Sequence, residues 1–152
     1  MLKLCSCLHE LSFSALMEIY EEGNRENGAE FYPDLPEGQG ILRAEQDFLQ
    51  YLQDVFFRTP NAVYAIWIEN DRYVSALRLE PYRDGFLLCA LETKPDERRK
   101  GYALRLIRDV QDWLHKRGQC VIYSHISKKN IPVGKWKQEV SKAVEGRNIN
   151  GQ

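Results

Sequence analysis

The stretch from residue 92 to residue 103, ETKPDERRKGYA, holds the side chains of this chain whose types and spacing could do chemistry. Three consecutive cations at residues 98–100 precede Gly101, and an amphipathic helical pattern starts at Tyr102. The first backbone N–H groups of a helix have no partner within the helix, and they lie at the positive end of its dipole. A glycine before such a start lets the backbone approach an anion closely. The stretch therefore predicts a pyrophosphate-binding loop, although an ordinary charged surface turn has a similar composition.

Glu92 is the candidate for acid–base chemistry. It ends the apolar segment GFLLCALET, and strand alternation would place it on one face with Leu88 and Ala90. A carboxylate among apolar neighbours has a raised pKa, which suits proton abstraction near neutral pH. The alternative interpretation is a structural ion pair with an arginine such as Arg78.

The hydrophobic pattern predicts the elements that must position these residues. The alternating stretch LKLCSCL predicts a first strand. A helix with Ser12 as its N-cap and Gly23 as its stop follows, with Phe13, Leu16, Met17 and Tyr20 on one stripe. Residues 25–40 are rich in Gly, Pro and Asn and predict a long loop. A second helix comes next, and the side chains expected on its buried side are Phe48, Tyr51, Leu52, Val55 and Phe56.

Three strands, a helix and a last strand complete the predicted order. AVYAIWIE, RYVSALRLE and GFLLCALET predict an antiparallel meander, because ND and PYRDG between them are good hairpin connectors. A helix ending at Gly118 follows, and QCVIYSHI predicts the last strand. The residues expected on the buried face of that helix are Ala103, Leu106, Ile107, Val110 and Leu114. This order predicts an α/β fold with a mixed, mostly antiparallel sheet and helices on both faces.

Composition limits the classes of function. The chain has 152 residues and a formal net charge of −1, which indicates a single soluble domain with no long-range attraction for nucleic acid. No apolar run approaches the roughly 20 residues of a membrane span, and the N-terminus lacks a signal-peptide pattern. We therefore expect a cytoplasmic protein with free thiols and no metal site, because C-x-C spacing fits neither redox nor zinc-ribbon motifs. The four cysteines are Cys5, Cys7, Cys89 and Cys120.

TKPDERRKGYA resembles the acetyl-CoA pyrophosphate loop of the GNAT N-acetyltransferase superfamily. The superfamily signature is R/Q-x-x-G-x-G/A after a strand that ends in V-x-P. Thr93 and Pro95 match the strand end, and Arg98, Gly101 and Ala103 match the signature. The predicted element order is similar to that of the superfamily from the first strand to residue 130. LMEIYEEGN and YVSALRLEPY also resemble a bacterial GNAT subgroup without an assigned substrate.

The resemblance implies an acetyl-CoA-dependent N-acetyltransferase domain over residues 1–130, which acetylates a primary amine of a small molecule or peptide. It implies that Glu92 is the base and that a backbone N–H of the splayed strand stabilises the oxyanion. Asn130 matches an Asn that often touches the pantetheine arm. The acetyl-CoA-binding residues implied are Leu91, Thr93, Arg98, Arg99, Lys100, Gly101, Tyr102, Ala103 and Asn130.

The chain departs from the family pattern after residue 130. Lys137 stands where the family usually has a tyrosine that protonates the leaving thiolate, and neither Tyr123 nor His125 on the last strand is assigned that role. Residues 131–152 predict a short helix and a polar tail in place of the closing helix and the final strand hairpin. We expect the exposed sheet edge to favour a homodimer. A non-catalytic acyl-CoA-binding or sensor protein is the alternative function.

The acceptor amine is expected to approach from the side of the first two helices. The predicted loop over residues 25–40 would then form the wall of its site. The side chains in this loop that could meet an amine are Glu26, Tyr32 and Asp34, although loop polarity explains them equally well.

Overall fold

A five-stranded sheet forms the centre of the computed structural model, which describes residues 1–119 and 121–124. The strands pair in chain order, antiparallel except for the last two, which are parallel. The predicted meander and mixed sheet are thereby confirmed. The strands are β1 (Leu2–Cys5), β2 (Val63–Glu69), β3 (Arg72–Tyr82), β4 (Gly85–Thr93) and β5 (Ile122–Ser124).

Within the described part of the chain, four α-helices flank the sheet. Ser12 caps the first helix as predicted, since its hydroxyl accepts a hydrogen bond from the Ala15 N–H. Gly118, with a φ of 78°, follows the last helix, as expected for a left-handed residue that ends a helix. The helices are α1 (Phe13–Ile19), α2 (Glu21–Phe31), α3 (Glu37–Tyr51) and α4 (Tyr102–Lys116). Short 3-10 turns form at Leu8–Glu10 and Pro95–Glu97, and a π-helical turn at Leu52–Phe56 extends α3.

The prediction of a long loop over residues 25–40 is wrong. Most of that segment is helical, because α2 continues to Phe31, α3 begins at Glu37, and Gly23 lies inside α2 rather than ending a helix. Gly28 and Gly40 bring α2 and α3 into close contact. A Cβ added at Gly28 would lie 2.6 Å from the Gly40 carbonyl carbon. The glycines that suggested a loop therefore serve the packing of one helix on another.

The predicted burial of Val55 is also wrong. Its side chain is 52% exposed, whereas Leu52 and Phe56 are buried. The π-helical turn causes this difference, because the Phe57 N–H bonds to the Leu52 carbonyl five residues back and changes the phase of the buried face.

The two faces of the sheet bury separate apolar clusters. Alternate residues of β2 enter opposite clusters, with Val63 and Ala65 on one side and Tyr64 and Ile66 on the other. All five positions predicted for the buried face of the last helix are buried, and four of them, Leu106, Ile107, Val110 and Leu114, belong to the first cluster, because α4 covers that face. Residues of α1 and α3 pack in the second cluster, so helices lie on both faces as expected.

Several predictions lie outside the described residues. These are the C-terminal helix, polar tail and absent hairpin of 131–152, and the roles of Asn130, His125 and Lys137. The homodimer stays a prediction for the same reason. Cys5, Cys7 and Cys89 are free thiols as expected, whereas Cys120 is outside the described part of the chain. Among the described helices, none is long and apolar enough to span a bilayer.

Candidate active site

A β-bulge interrupts β4 just before Glu92. Ala76 pairs with Glu92 and Arg78 pairs with Cys89, so a two-residue step on β3 faces a three-residue step on β4. Ala90, inside the bulge, has a φ of 54°, which is the left-handed region that residues with a Cβ rarely adopt. A strained residue of this kind persists only where its surroundings hold it, and it often marks a functional site.

The bulge reverses the side-chain alternation of β4. Leu88 and Leu91 pack on the α4 side of the sheet, while Ala90 packs on the side of α1 and α3. Glu92 pairs with Ala76, which also belongs to the α1 and α3 side. The expectation that Leu88 and Glu92 share a face is therefore wrong, because regular alternation does not continue through the extra residue.

Two buried tyrosines hold the bulge in place. The Tyr20 hydroxyl donates to the Ala90 carbonyl at 2.7 Å, and the Tyr64 hydroxyl donates to the Tyr20 oxygen at 2.7 Å. Burial raises the pKa of both phenols, so both remain protonated donors at neutral pH. Sequence reasoning placed Tyr20 only on an apolar helix stripe, since no local pattern reports a contact 70 positions away.

Glu92 is part of an ion-pair cluster between β4, α2 and the loop after β4. The Arg98 guanidinium donates to Glu92 Oε1 at 3.1 Å and to both carboxylate oxygens of Glu22 at 3.3 and 2.9 Å. Burial raises the pKa of Glu92, while Arg98 acts in the opposite direction. The ion pair considered with Arg78 thus forms with Arg98 instead, and Glu92 is still 32% exposed.

The loop between β4 and α4 leaves an open approach to backbone N–H groups. Gly101 has a φ of 82°, and a Cβ built there would meet no atom within 4 Å. The first hydrogen bond of α4 runs from the Arg105 N–H to the Gly101 carbonyl, and none of the described side chains caps the helix start. Since the first turn also lacks acidic residues, the positive end of the dipole is uncompensated. The loop therefore fits an anionic group such as a pyrophosphate.

Side-chain charge contributes less to this loop than the sequence suggests. Arg98 turns inward to Glu22 and Glu92, and Lys100 pairs with Glu97 at 2.7 Å. Arg99, with a φ of 65°, is exposed and has no ion-pair partner within the described ranges. An anion in this loop would be held mainly by backbone N–H groups and the helix dipole.

The residues expected around the acceptor occupy different places. Glu26 on α2 lies close enough to Glu92 to raise the pKa of that carboxyl. Tyr32 donates its hydroxyl to Asp47 on α3, and Asp34 is exposed. Tyr123 pairs with Leu87, five residues before Glu92, which is roughly 16 Å along a strand.

Glu26 therefore lies near Glu92, whereas Tyr32 contacts α3 and Tyr123 lies farther along the sheet. Within residues 1–119 and 121–124, no group of three or more His, Cys, Asp or Glu side chains has the arrangement of a metal site.

Comparison with known proteins identifies the family of this architecture. The sequence profile described as "Acetyltransferase (GNAT) family" matches residues 15–135. A search of curated proteins by sequence found no match.

Solved structures share the fold at low sequence identity. A probable acetyltransferase aligns with a TM-score of 0.59 and 14% identity, covering 92% of this chain and 87% of that chain. The ribosomal-protein-S18-alanine N-acetyltransferase of Escherichia coli aligns at 0.57 and 16% identity, over 96% and 76%. The PaiA N-acetyltransferase of Thermoplasma acidophilum, solved with coenzyme A, aligns at 0.53 and 12% identity, over 97% and 88%. The profile match covers most of the chain, and it includes the bulged β4 and the uncapped start of α4. The chain therefore belongs to the GNAT acetyltransferase family.

Proposed function

We propose that this protein is an acetyl-CoA-dependent N-acetyltransferase that transfers an acetyl group directly to a primary amine of a small molecule or peptide. The observation that carries the proposal is the juxtaposition of the β4 bulge, the half-buried Glu92 and the open loop before α4 within twelve consecutive residues. Family membership and the coenzyme A complex of the PaiA structure support the choice of cosubstrate.

Acetyl-CoA would supply an activated thioester to this site. In the proposal, the loop from Arg98 to Ala103 binds the pyrophosphate through the backbone of Arg98, Arg99, Lys100, Gly101, Tyr102 and Ala103. Leu91 and Thr93 provide backbone contacts to the pantetheine arm, and Asn130 is a further proposed contact. Arg98 has a second task in this scheme, because its contacts to Glu92 and to the Thr93 carbonyl at 3.4 Å orient the end of β4.

Glu92 is proposed to take the proton from the acceptor ammonium. Its raised pKa suits this task, because a carboxylate with a pKa closer to the working pH is a stronger base. The bulge leaves one residue of β4 out of the regular ladder, and a free backbone N–H there would stabilise a developing oxyanion.

A non-catalytic acyl-CoA-binding sensor is the second candidate. One observation favours it: the Glu92 carboxylate already accepts a hydrogen bond from Arg98, which favours its ionised form and weakens it as a base. Both candidates use the same loop, so binding of acetyl-CoA does not discriminate between them.

Amine-dependent thiol release, measured beside calorimetric binding of acetyl-CoA, discriminates between the two. We expect binding, together with release of free coenzyme A thiol that rises with amine concentration across a panel of primary amines. Binding without amine-dependent release would establish the sensor and refute the enzyme. Absence of binding would refute both.

Tyr20→Phe is expected to lower kcat by about tenfold or more, since loss of one hydrogen bond of 1.4 kcal/mol corresponds to a factor of ten. The phenylalanine keeps the packing but no longer holds the Ala90 carbonyl, so the bulge is less well fixed. Tyr64→Phe is the matched control, because it removes a buried hydroxyl of the same chain of hydrogen bonds and leaves the Tyr20–Ala90 bond.

We expect both tyrosine variants to lose similar thermal stability, while only Tyr20→Phe loses kcat with an unchanged dissociation constant for acetyl-CoA. Equal kcat values for the two variants would show that Tyr20 has only a structural role.

A further inference from the structure

Arg78 lies on the same face of the sheet as Glu92. Arg78 and Ala76 are two residues apart on β3, so their side chains extend from one face. Ala76 is the pairing partner of Glu92, and Arg78 is the pairing partner of Cys89. The backbone position of Arg78 is therefore about 7 Å along β3 from Ala76, the residue that lies opposite the proposed base.

Three aromatic rings surround the Arg78 guanidinium. Its central carbon lies 4.9 Å from the ring centroid of Tyr51, 5.7 Å from that of Phe48 and 5.9 Å from that of Phe56. These rings belong to α3 and its π-helical turn, which cover this face. Each contact is a favourable cation–π interaction.

Aromatic rings do not satisfy the five N–H donors of a guanidinium. The Nε of Arg78 is buried and has no hydrogen-bond partner among the described residues. None of the described carboxylates forms an ion pair with Arg78 either. A partly buried cation that has no carboxylate partner among the described residues is costly. We therefore expect the unpaired Nε–H of Arg78 to bind a group from outside the described chain.

Glu80 is the carboxylate on β3 two residues from Arg78. Its Oε1 accepts a hydrogen bond from the Tyr51 hydroxyl at 3.3 Å and lies 3.7 Å from the Cys89 sulfur. Glu80 is thus engaged with the neighbours of Arg78 rather than with Arg78 itself. The negative charge of Glu80 weakens the electrostatic attraction of this region for anions. An anion that bonds directly to the Arg78 guanidinium is therefore favoured over one held only by long-range attraction.

We propose that Arg78 binds a carboxylate of the acceptor, so that the preferred acceptor is a primary amine that also carries a carboxylate, as an amino acid or a short peptide does. The proposal rests on the N-acetyltransferase function proposed above. A planar guanidinium matches a carboxylate through two parallel N–H···O bonds, which a lysine cannot form. The short distance along β3 between Arg78 and the position opposite Glu92 suits an acceptor in which amine and carboxylate are a few bonds apart.

The first test compares amine pairs that differ only in a carboxylate or a carboxamide, such as glycine with glycinamide and β-alanine with β-alaninamide. Rates are expressed per unprotonated amine, so that the different protonated fractions of the two amines do not enter. We expect the wild type to prefer the carboxylate by about 10- to 100-fold in kcat/KM. Arg78→Met should bring the ratio of the carboxylate and carboxamide kcat/KM values close to one, and Arg78→Lys should retain only a small part of the preference.

Arg72→Met is the matched control, because it removes an exposed arginine from the same strand. It should leave the preference unchanged. A wild type without preference for carboxylates, or an Arg78→Met variant that keeps the preference, would overturn the inference while the N-acetyltransferase function stands.

A second test does not depend on turnover. The Nε–H signal of Arg78 in the ¹⁵N spectrum of the wild type, assigned by its loss in Arg78→Lys, is followed during titration with acetate and with acetamide. We expect a saturable shift with acetate alone. Such a shift in a protein that acetylates no amine would establish the carboxylate site and refute the enzyme. Equal responses to acetate and acetamide would refute the site.

Discussion

Replacing Glu92 with glutamine is expected to lower kcat by about 10²- to 10⁴-fold, the usual contribution of a general base. The amide keeps the size of the side chain and its contact with Arg98, but it cannot accept the proton of the acceptor ammonium. The dissociation constant for acetyl-CoA should change little, because Glu92 is not among the proposed acetyl-CoA contacts. Steady-state kinetics and calorimetry on the same preparation measure both quantities. A kcat within threefold of the wild type would remove Glu92 from the mechanism.

The pH dependence of kcat provides a second test of the role of Glu92. The base works only when it is ionised, so kcat falls as the pH falls through the pKa of Glu92. Arg98 lowers this pKa and Glu22 raises it. Arg98→Gln should therefore move the acid limb of the kcat profile to higher pH, and Glu22→Gln should move it to lower pH. Shifts of the same sign, or none, would show that the limb belongs to another group.

Gly101→Ala is expected to weaken acetyl-CoA binding by about tenfold or more, which corresponds to a loss of at least 1.4 kcal/mol. The added Cβ would meet no protein atom. We expect it to weaken acetyl-CoA binding because it occupies the open approach to the backbone N–H groups. Alanine in the left-handed region also costs about 1–2 kcal/mol of stability. Calorimetric titration with acetyl-CoA measures the expected change.

The chain offers a matched control for Gly101 at the other end of α4. Gly118 has a φ of 78° and the same open space around an added Cβ. Gly118→Ala should therefore lower the thermal stability about as much as Gly101→Ala and leave the acetyl-CoA affinity unchanged. Equal affinities in the two variants would contradict the binding role of the loop before α4.

The elements with strong local patterns were predictable from the sequence. The five apolar positions of α4 repeat at helical spacing, and all five are buried. The asparagine and aspartate between β2 and β3 adopt left-handed φ values of 50° and 61°, as the ND hairpin connector predicts. Local chemistry decides such features, so the sequence is sufficient for them.

The features that depend on distant contacts were not predictable. The sequence pattern around Gly28 is typical of a loop, and only the contact with Gly40 shows that Gly28 serves helix packing. Arg98 reads as free positive charge, because its partner Glu22 is 76 positions away. The bulge at Ala90 leaves no mark in the pattern of β4, yet it decides which face Glu92 occupies. The sequence therefore located the candidate site, while tertiary contacts determined the charges and orientations within it.

Identification of the acetylated product tests the central claim most directly. The wild-type protein is incubated with acetyl-CoA labelled with ¹³C in the acetyl group and with one responsive amine, and both products are quantified by mass spectrometry. We expect labelled N-acetylated amine and free coenzyme A in equal amounts, with neither formed at a comparable rate when the amine is omitted. Release of coenzyme A without labelled amine would contradict the assignment of this protein as an N-acetyltransferase.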